Sequence, residues 1–196
     1  MSRRALVLIE FQKQWTEPGL YHRLVRRQLE ARHTVATARR IVRAARHEGV
    51  VVIHAPLIID PKRKRGLLAH LTFGRVFTKG TPRAEFTAGM FETGDLVVRG
   101  RTGFDAFAGT DLEQLLRVNG IEEIFFGGLT TDQCVARTLR TALGMGFRAY
   151  LVPELTATFG RWQQRRSERR FAACLAPLQE SDFPISPALP VEPNRD

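Results

Sequence analysis

Two cysteines in 196 residues, Cys134 and Cys174, cannot build a disulfide framework, and no Cys/His cluster carries zinc-ligand spacing. Long apolar runs are missing too. The longest, over residues 50–59, is broken by His54 and Pro56 and falls far short of the ~20 residues that cross a bilayer. Near the N-terminus only residues 5–9 are apolar before Glu10, with no small-residue cleavage site, so a signal peptide is not expected and the expected location is the cytoplasm. No GxGxxG follows the first apolar run and there is no P-loop, while the GxxG from Gly100 to Gly103 is common in ordinary loops; nucleotide chemistry loses most of its support. Acidic residues are the minority, 20 against 30 Lys plus Arg, a net charge of +10 carried mostly by arginine. The basic residues are scattered, with local runs only over 39–46, 61–65 and 161–170, and no aromatic-interleaved basic motif is evident. A solvated surface is therefore the expectation, with nucleic acid unlikely as a partner and no membrane contact.

What remains is the composition of one globular domain, 43% apolar and 26% charged. Residues 5–11 (ALVLIEF) form a continuous apolar run ending near a carboxylate, the pattern of a strand buried on both faces of a parallel sheet. Val35, Ala38, Val42 and Ala45 recur at helical spacing and predict a helix over 29–47, which Gly49 stops before a strand over 50–54. Strands over 95–98, 121–126 and 148–152 then alternate with helices over 111–119, 132–145 and 161–174. The expected fold class is α/β: three layers, a mostly parallel sheet with helices on both faces, and ligands outside the carboxyl ends of the strands. Residues 1–183 are read as one domain, with 57–94 as a long excursion over a pocket or a subunit contact and 184–196 as a proline-rich tail.

The strand ends are therefore the places to look for chemistry. After 121–126 comes GGLTTDQCV, where the Gly127–Gly128 pair permits a sharp turn, Thr131 or Asp132 can cap the next helix, and Cys134 falls in that helix's first turn. Amide groups and the helix dipole there favour an anion, lowering a cysteine pKa and supplying an oxyanion site. The alternative is a small buried apolar side chain, which is how Cys174, beside Phe171 and Leu175, is read. Glu10, after the first strand, and Arg99 or Arg101, after the strand over 95–98, can converge on that thiol, one to accept its proton and the other to hold the anion.

Four segments, ALVLIEFQKQW (5–15), VVIHAP (51–56), RGRTGFDAFAGTDLEQLLR (99–117) and GIEEIFFGGLTTDQCVARTLRTALGMGFRAYLV (120–152), resemble the isochorismatase-like cysteine hydrolases, in order over most of residues 5–155. The resemblance implies a six-stranded parallel sheet and an Asp, Lys, Cys triad that hydrolyses small amides, imides or ureas through a thioester. Cys134 matches the nucleophile, Glu10 stands at the Asp position and Arg101 at the Lys position. Glu keeps the acid with one more methylene, as some relatives with an IEFQ-type first strand do. Arg is a permanent cation that cannot readily give up a proton. The resemblance also implies a cis peptide between Leu129 and Thr130, an oxyanion hole of the Thr130 and Cys134 amides, Trp15 and Leu129 at the substrate, and a dimer or tetramer. Relatives that cleave isochorismate lack the cysteine, so a C–N bond of a small molecule is expected. The D-x-H spacing of metal-binding relatives is missing, so neither metal nor other cofactor is expected, and His54 is read as structural. The Arg101 departure raises an alternative, a catalytically silent binding or assembly protein on the same scaffold, and nucleic-acid binding through the basic surface ranks third.

Overall fold

The computed structural model describes residues 3–60 and 76–178. Strand β1 (Arg3–Ile9) is followed by the short helix α1 (Lys13–Thr16), α2 (Leu20–Ala31), α3 (Thr34–His47) and β2 (Val51–Ala55). A 3-10 turn (Pro82–Ala84), β3 (Leu96–Val97), α4 (Leu112–Val118) and β4 (Ile121–Leu129) come next. A turn of π-helix (Thr131–Val135) leads into α5 (Ala136–Gly144), then β5 (Arg148–Ala157), α6 (Arg161–Arg170) and a 3-10 turn (Ala172–Cys174). The strands are parallel in the order β3-β2-β1-β4-β5. Five strands, rather than the six implied by resemblance, occur among the described residues; Leu175 makes one parallel bridge to Leu151, on the outer edge of β5 where a sixth would add. The tail over 184–196 and the basic run over 61–65 lie outside the described residues.

Central β1 is buried on both faces, as its unbroken apolar run requires. Leu6 and Leu8 pack toward Ala38, Ile41, Val42 and Ala45 of α3, and Ala5, Val7 and Ile9 toward Leu112 and Leu116 of α4 and Leu139 and Ala142 of α5. Each such aliphatic side chain contributes about 1.5–3 kcal/mol of burial. The result is the expected three layers.

Three boundaries depart from expectation for identifiable reasons. The helix predicted over 29–47 is two helices, because Val25 and Leu29 of α2 join an aromatic cluster with Trp15 and Phe77 while α3 faces the sheet; His33 turns the corner in the left-handed region, φ 51°. Strand β4 runs through the glycine pair instead of turning at it. Gly128 pairs with Ile9 at φ 136°, and a Cβ there would lie 2.1 Å from the Ile9 carbonyl oxygen, so only glycine fits the close approach. Neither Thr131 nor Asp132 caps a helix with its side chain. Thr131 donates to Gln164 Oε1 (2.8 Å) and Asp132 accepts from Thr158 (2.5 Å), which fastens the π-turn to α6 and to the residue that follows β5.

Candidate active site

Three strand ends meet at the carboxyl edge of the sheet. Glu10 leaves β1 in the left-handed region (φ 54°), which redirects its side chain. Arg101 follows β3 after Gly100, where φ is 85° and a Cβ would meet the Gly109 carbonyl oxygen at 2.8 Å. Arg99, the alternative to Arg101, is exposed instead, its amide held by Asp111 Oδ1 at 2.7 Å. Cys134 lies in the π-turn after β4. All three site residues are buried, with relative exposures of 1% for Glu10, 2% for Arg101 and 5% for Cys134.

Every donor around the carboxylate is directional. Arg101 Nη2 donates to Glu10 Oε1 at 2.5 Å and to the Phe104 carbonyl at 3.3 Å, and Nη1 donates to the Ala55 carbonyl at 2.7 Å. Arg101 Nε has no partner and is buried. Trp15 Nε1 donates to Glu10 Oε2 at 2.8 Å. Burial disfavours the Arg101 cation, but the Glu10 carboxylate and Cys134 beside it outweigh that and raise its pKa. Burial pushes the Cys134 thiol well up, the Glu10 charge adds to the rise, and Arg101 only partly opposes it. The direction is opposite to the lowering expected from helix amides, because burial beside a carboxylate is the larger influence on this thiol.

The Leu129–Thr130 peptide is cis. The Thr130 carbonyl accepts the Gln133 and Val135 amides, each at 3.2 Å, so the loop closes tightly around Cys134. Leu129 is fully buried in the cluster that holds Trp15, Val25 and Ala157. Trp15 is walled by Tyr21, Phe77 and Phe159, with ring centroids at 5.1, 6.0 and 6.5 Å. His54 Nε2 lies 2.9 Å from Asp95 Oδ2, which Arg46 Nη2 approaches at 2.6 Å; the imidazole thus helps tie β2 to α3, the structural part expected of it. Cys174 sits in the 3-10 turn after α6, half-buried. The Arg-rich helix α6 exposes Arg161, Arg165, Arg166, Arg169 and Arg170 together with Trp162.

Two supports of the site carry no sequence signal. Gln12 is fully buried and clamps the segment after β1: its Nε2 donates to the carbonyls of Leu57 (3.0 Å) and Ala84 (2.7 Å), and its Oε1 accepts the Leu57 amide (2.8 Å). Gln164, 33 residues beyond Thr131, anchors the turn that carries Cys134 to α6.

The sequence from residue 4 to residue 182 matches the model of the isochorismatase domain. The chain belongs to the isochorismatase family. Among curated proteins it is 27% identical to a ureidoacrylate amidohydrolase of Variovorax paradoxus over 182 residues, covering 81% of this chain and 70% of that protein. It is 32% identical to a streptothricin hydrolase of Streptomyces noursei over 135 residues, 66% of this chain and 43% of the relative. A 68-residue match at 40% identity to an isochorismatase family protein of Bacillus subtilis spans 35% of this chain and 36% of that one. Among solved structures, an isochorismatase family protein from Desulfovibrio vulgaris aligns with TM-score 0.81 at 22% identity, covering 92% of this chain and 96% of the other. A cysteine hydrolase from Pseudomonas syringae aligns with TM-score 0.79 at 19% identity, covering 92% and 90%. At these identities the structures speak for the fold; the doubly wound parallel sheet is the family's. Among the described residues no helix is long and apolar enough to cross a membrane.

Proposed function

We propose that this isochorismatase-family chain is a cofactor-independent cysteine hydrolase that cleaves a C–N bond of a small amide, imide or urea-type substrate. The observation that carries the reading is the burial of Glu10, Arg101 and Cys134 together beyond the carboxyl ends of β1, β3 and β4. Curated relatives named as an amidohydrolase and a hydrolase agree with it.

In this mechanism Cys134 Sγ attacks the substrate carbonyl as its proton passes to the Glu10 carboxylate. Burial keeps the thiol protonated until then, so nucleophile and base act together and no standing thiolate is needed. The oxyanion is held by the Thr130 and Cys134 amides. Collapse of the tetrahedral adduct breaks the C–N bond, Glu10 returns the proton to the departing nitrogen, and a thioester remains. Glu10 then takes a proton from water, whose oxygen attacks the thioester; the acid departs and Cys134 recovers its proton. Arg101 never exchanges a proton. Its Nη2 orients Glu10, and its guanidinium beside Cys134 favours negative charge developing on the sulfur.

Replacing Cys134 by Ala is expected to abolish turnover of a panel of small amides while leaving the melting temperature close to the parent's, and the parent is expected to gain the mass of an acyl group under acid quench. An active Cys134→Ala protein would sink the mechanism. The Arg101 departure favours a second reading, a binding protein on the same scaffold, which predicts ligand binding without turnover and a Cys134 inert to iodoacetamide. A homo-oligomer, dimer or tetramer, is proposed from the family resemblance and is read by light scattering.

A further inference from the structure

We infer that Trp15 is a positioning residue for the general base, acting through its indole N–H on Glu10; the inference rests on the hydrolase reading above. As a strand-end aromatic, Trp15 suggested a platform for a flat substrate. Its surroundings argue otherwise. The ring is only 6% exposed, with Tyr21 edge-on at 79° and Phe77 and Phe159 tilted against it, and its one polar atom is aimed at Glu10 Oε2, 2.8 Å away.

The carboxylate is thereby held at both ends. Oε1 takes Arg101 Nη2 and Oε2 takes Trp15 Nε1, so rotation about the terminal bond breaks one contact or the other. A glutamate has one more torsion to fix than an aspartate, and the second donor supplies that restraint. Indole is suited to the task because it is a donor only. It neither takes the thiol proton nor offers one to the leaving group, so the proton travels only between Cys134, Glu10 and substrate while Trp15 keeps its own. A hydroxyl or imidazole at the same place would compete for it.

The aim of the indole is itself set from a distance. Helix α1 has four residues, too few to hold a position alone. It is pinned by the Gln12 clamp to Leu57 and Ala84, and by the Lys13 amide on the Glu85 carbonyl at 2.9 Å. Trp15 therefore approaches Glu10 from a fixed base.

The test replaces Trp15 by β-(3-benzothienyl)alanine, which keeps the ring shape and removes the N–H, with the same replacement at Trp162 as control and Trp15→Phe as a second variant. Iodoacetamide labelling of Cys134 is followed against pH, with Cys174 as internal reference. The expected result is a fall of about tenfold or more in the Cys134 rate and a displaced pH profile for the residue-15 protein alone, with Cys174 labelling unchanged and the melting temperature lowered only by the few degrees that one unpaired buried acceptor costs. In parallel, Glu10→Gln is expected to move the indole 1H–15N resonance of Trp15 and leave that of Trp162 in place. Superimposable Cys134 profiles with and without the N–H would overturn the inference, as would a Trp15 resonance indifferent to Glu10→Gln. An active Cys134→Ala protein overturns the hydrolase reading instead, so the two failures are separable.

Discussion

Replacing Arg101 by Met removes the cation while leaving much of the side-chain volume. Glu10, 1% exposed, would then keep the Trp15 indole but no cation beside it, and the Ala55 carbonyl would lose the guanidinium bond of 2.7 Å. Breaking one partner of a buried ion pair costs about 3–5 kcal/mol, because the other charge is stranded. For a chain of this size each kcal/mol moves the melting temperature by about 2–4 °C, so the expected drop is roughly 6–20 °C. Adding Glu10→Gln is expected to recover part of that loss, since removing both charges leaves no stranded ion. Cys134 labelling should slow, because Arg101 is what opposes the upward push on the thiol. Arg101→Lys separates charge from shape: one ammonium cannot reproduce a planar fork whose two nitrogens reach Glu10, Ala55 and Phe104, so it should retain more stability than Met yet lose activity. The assay is thermal and urea unfolding of the four proteins, with labelling of each. An Arg101→Met protein melting within 2 °C of the parent, in which Glu10→Gln restores nothing, would refute the claim that a buried charge pair holds the site together.

Two further predictions concern the frame. Asp95 is held far below its ordinary value of 3.8: burial raises it, but hydrogen bonds from His54 and Arg46 outweigh that. Its stabilising contribution is therefore present above about pH 4 and lost as pH falls toward the folded-state value, so Asp95→Asn should cost about 3 kcal/mol near neutrality and flatten the acid side of a melting-temperature profile. An unchanged acid limb would count against the pairing. Gly128→Ala should prevent folding or cost more than about 4 kcal/mol, because its methyl would lie on the Ile9 carbonyl in the centre of the sheet; soluble protein with parental melting would show that β1 and β4 do not approach this closely.

Much of the frame could be read from local pattern. The apolar blocks, the spacing of Ala38, Val42 and Ala45, and Gly49 after the helix gave strands and helices in the right order, since burial against a sheet imposes its period on the chain. Boundaries were harder where a choice of partner decided them. Nothing near His33 punctuates the helix; the break there comes from two apolar faces needing two different clusters. The glycine pair read as a turn because glycine is permissive, and only the neighbouring strand shows that its missing Cβ makes room for a carbonyl.

By itself the sequence pointed to an α/β chain with chemistry at its strand ends, to Cys134 and Glu10, and to one of Arg99 and Arg101, because residue types and spacing carry that much; family resemblance favoured Arg101. Tertiary structure decided how the three are placed. Choice between Arg99 and Arg101 depended on a left-handed turn at Gly100, and the state of Cys134 depended on desolvation, which no local pattern encodes. The second donor on Glu10 and the clamps of Gln12 and Gln164 came from hydrogen bonds whose acceptors are chosen only when the chain closes on itself. Such contacts have no period and no fixed separation, and burial alone makes them obligatory.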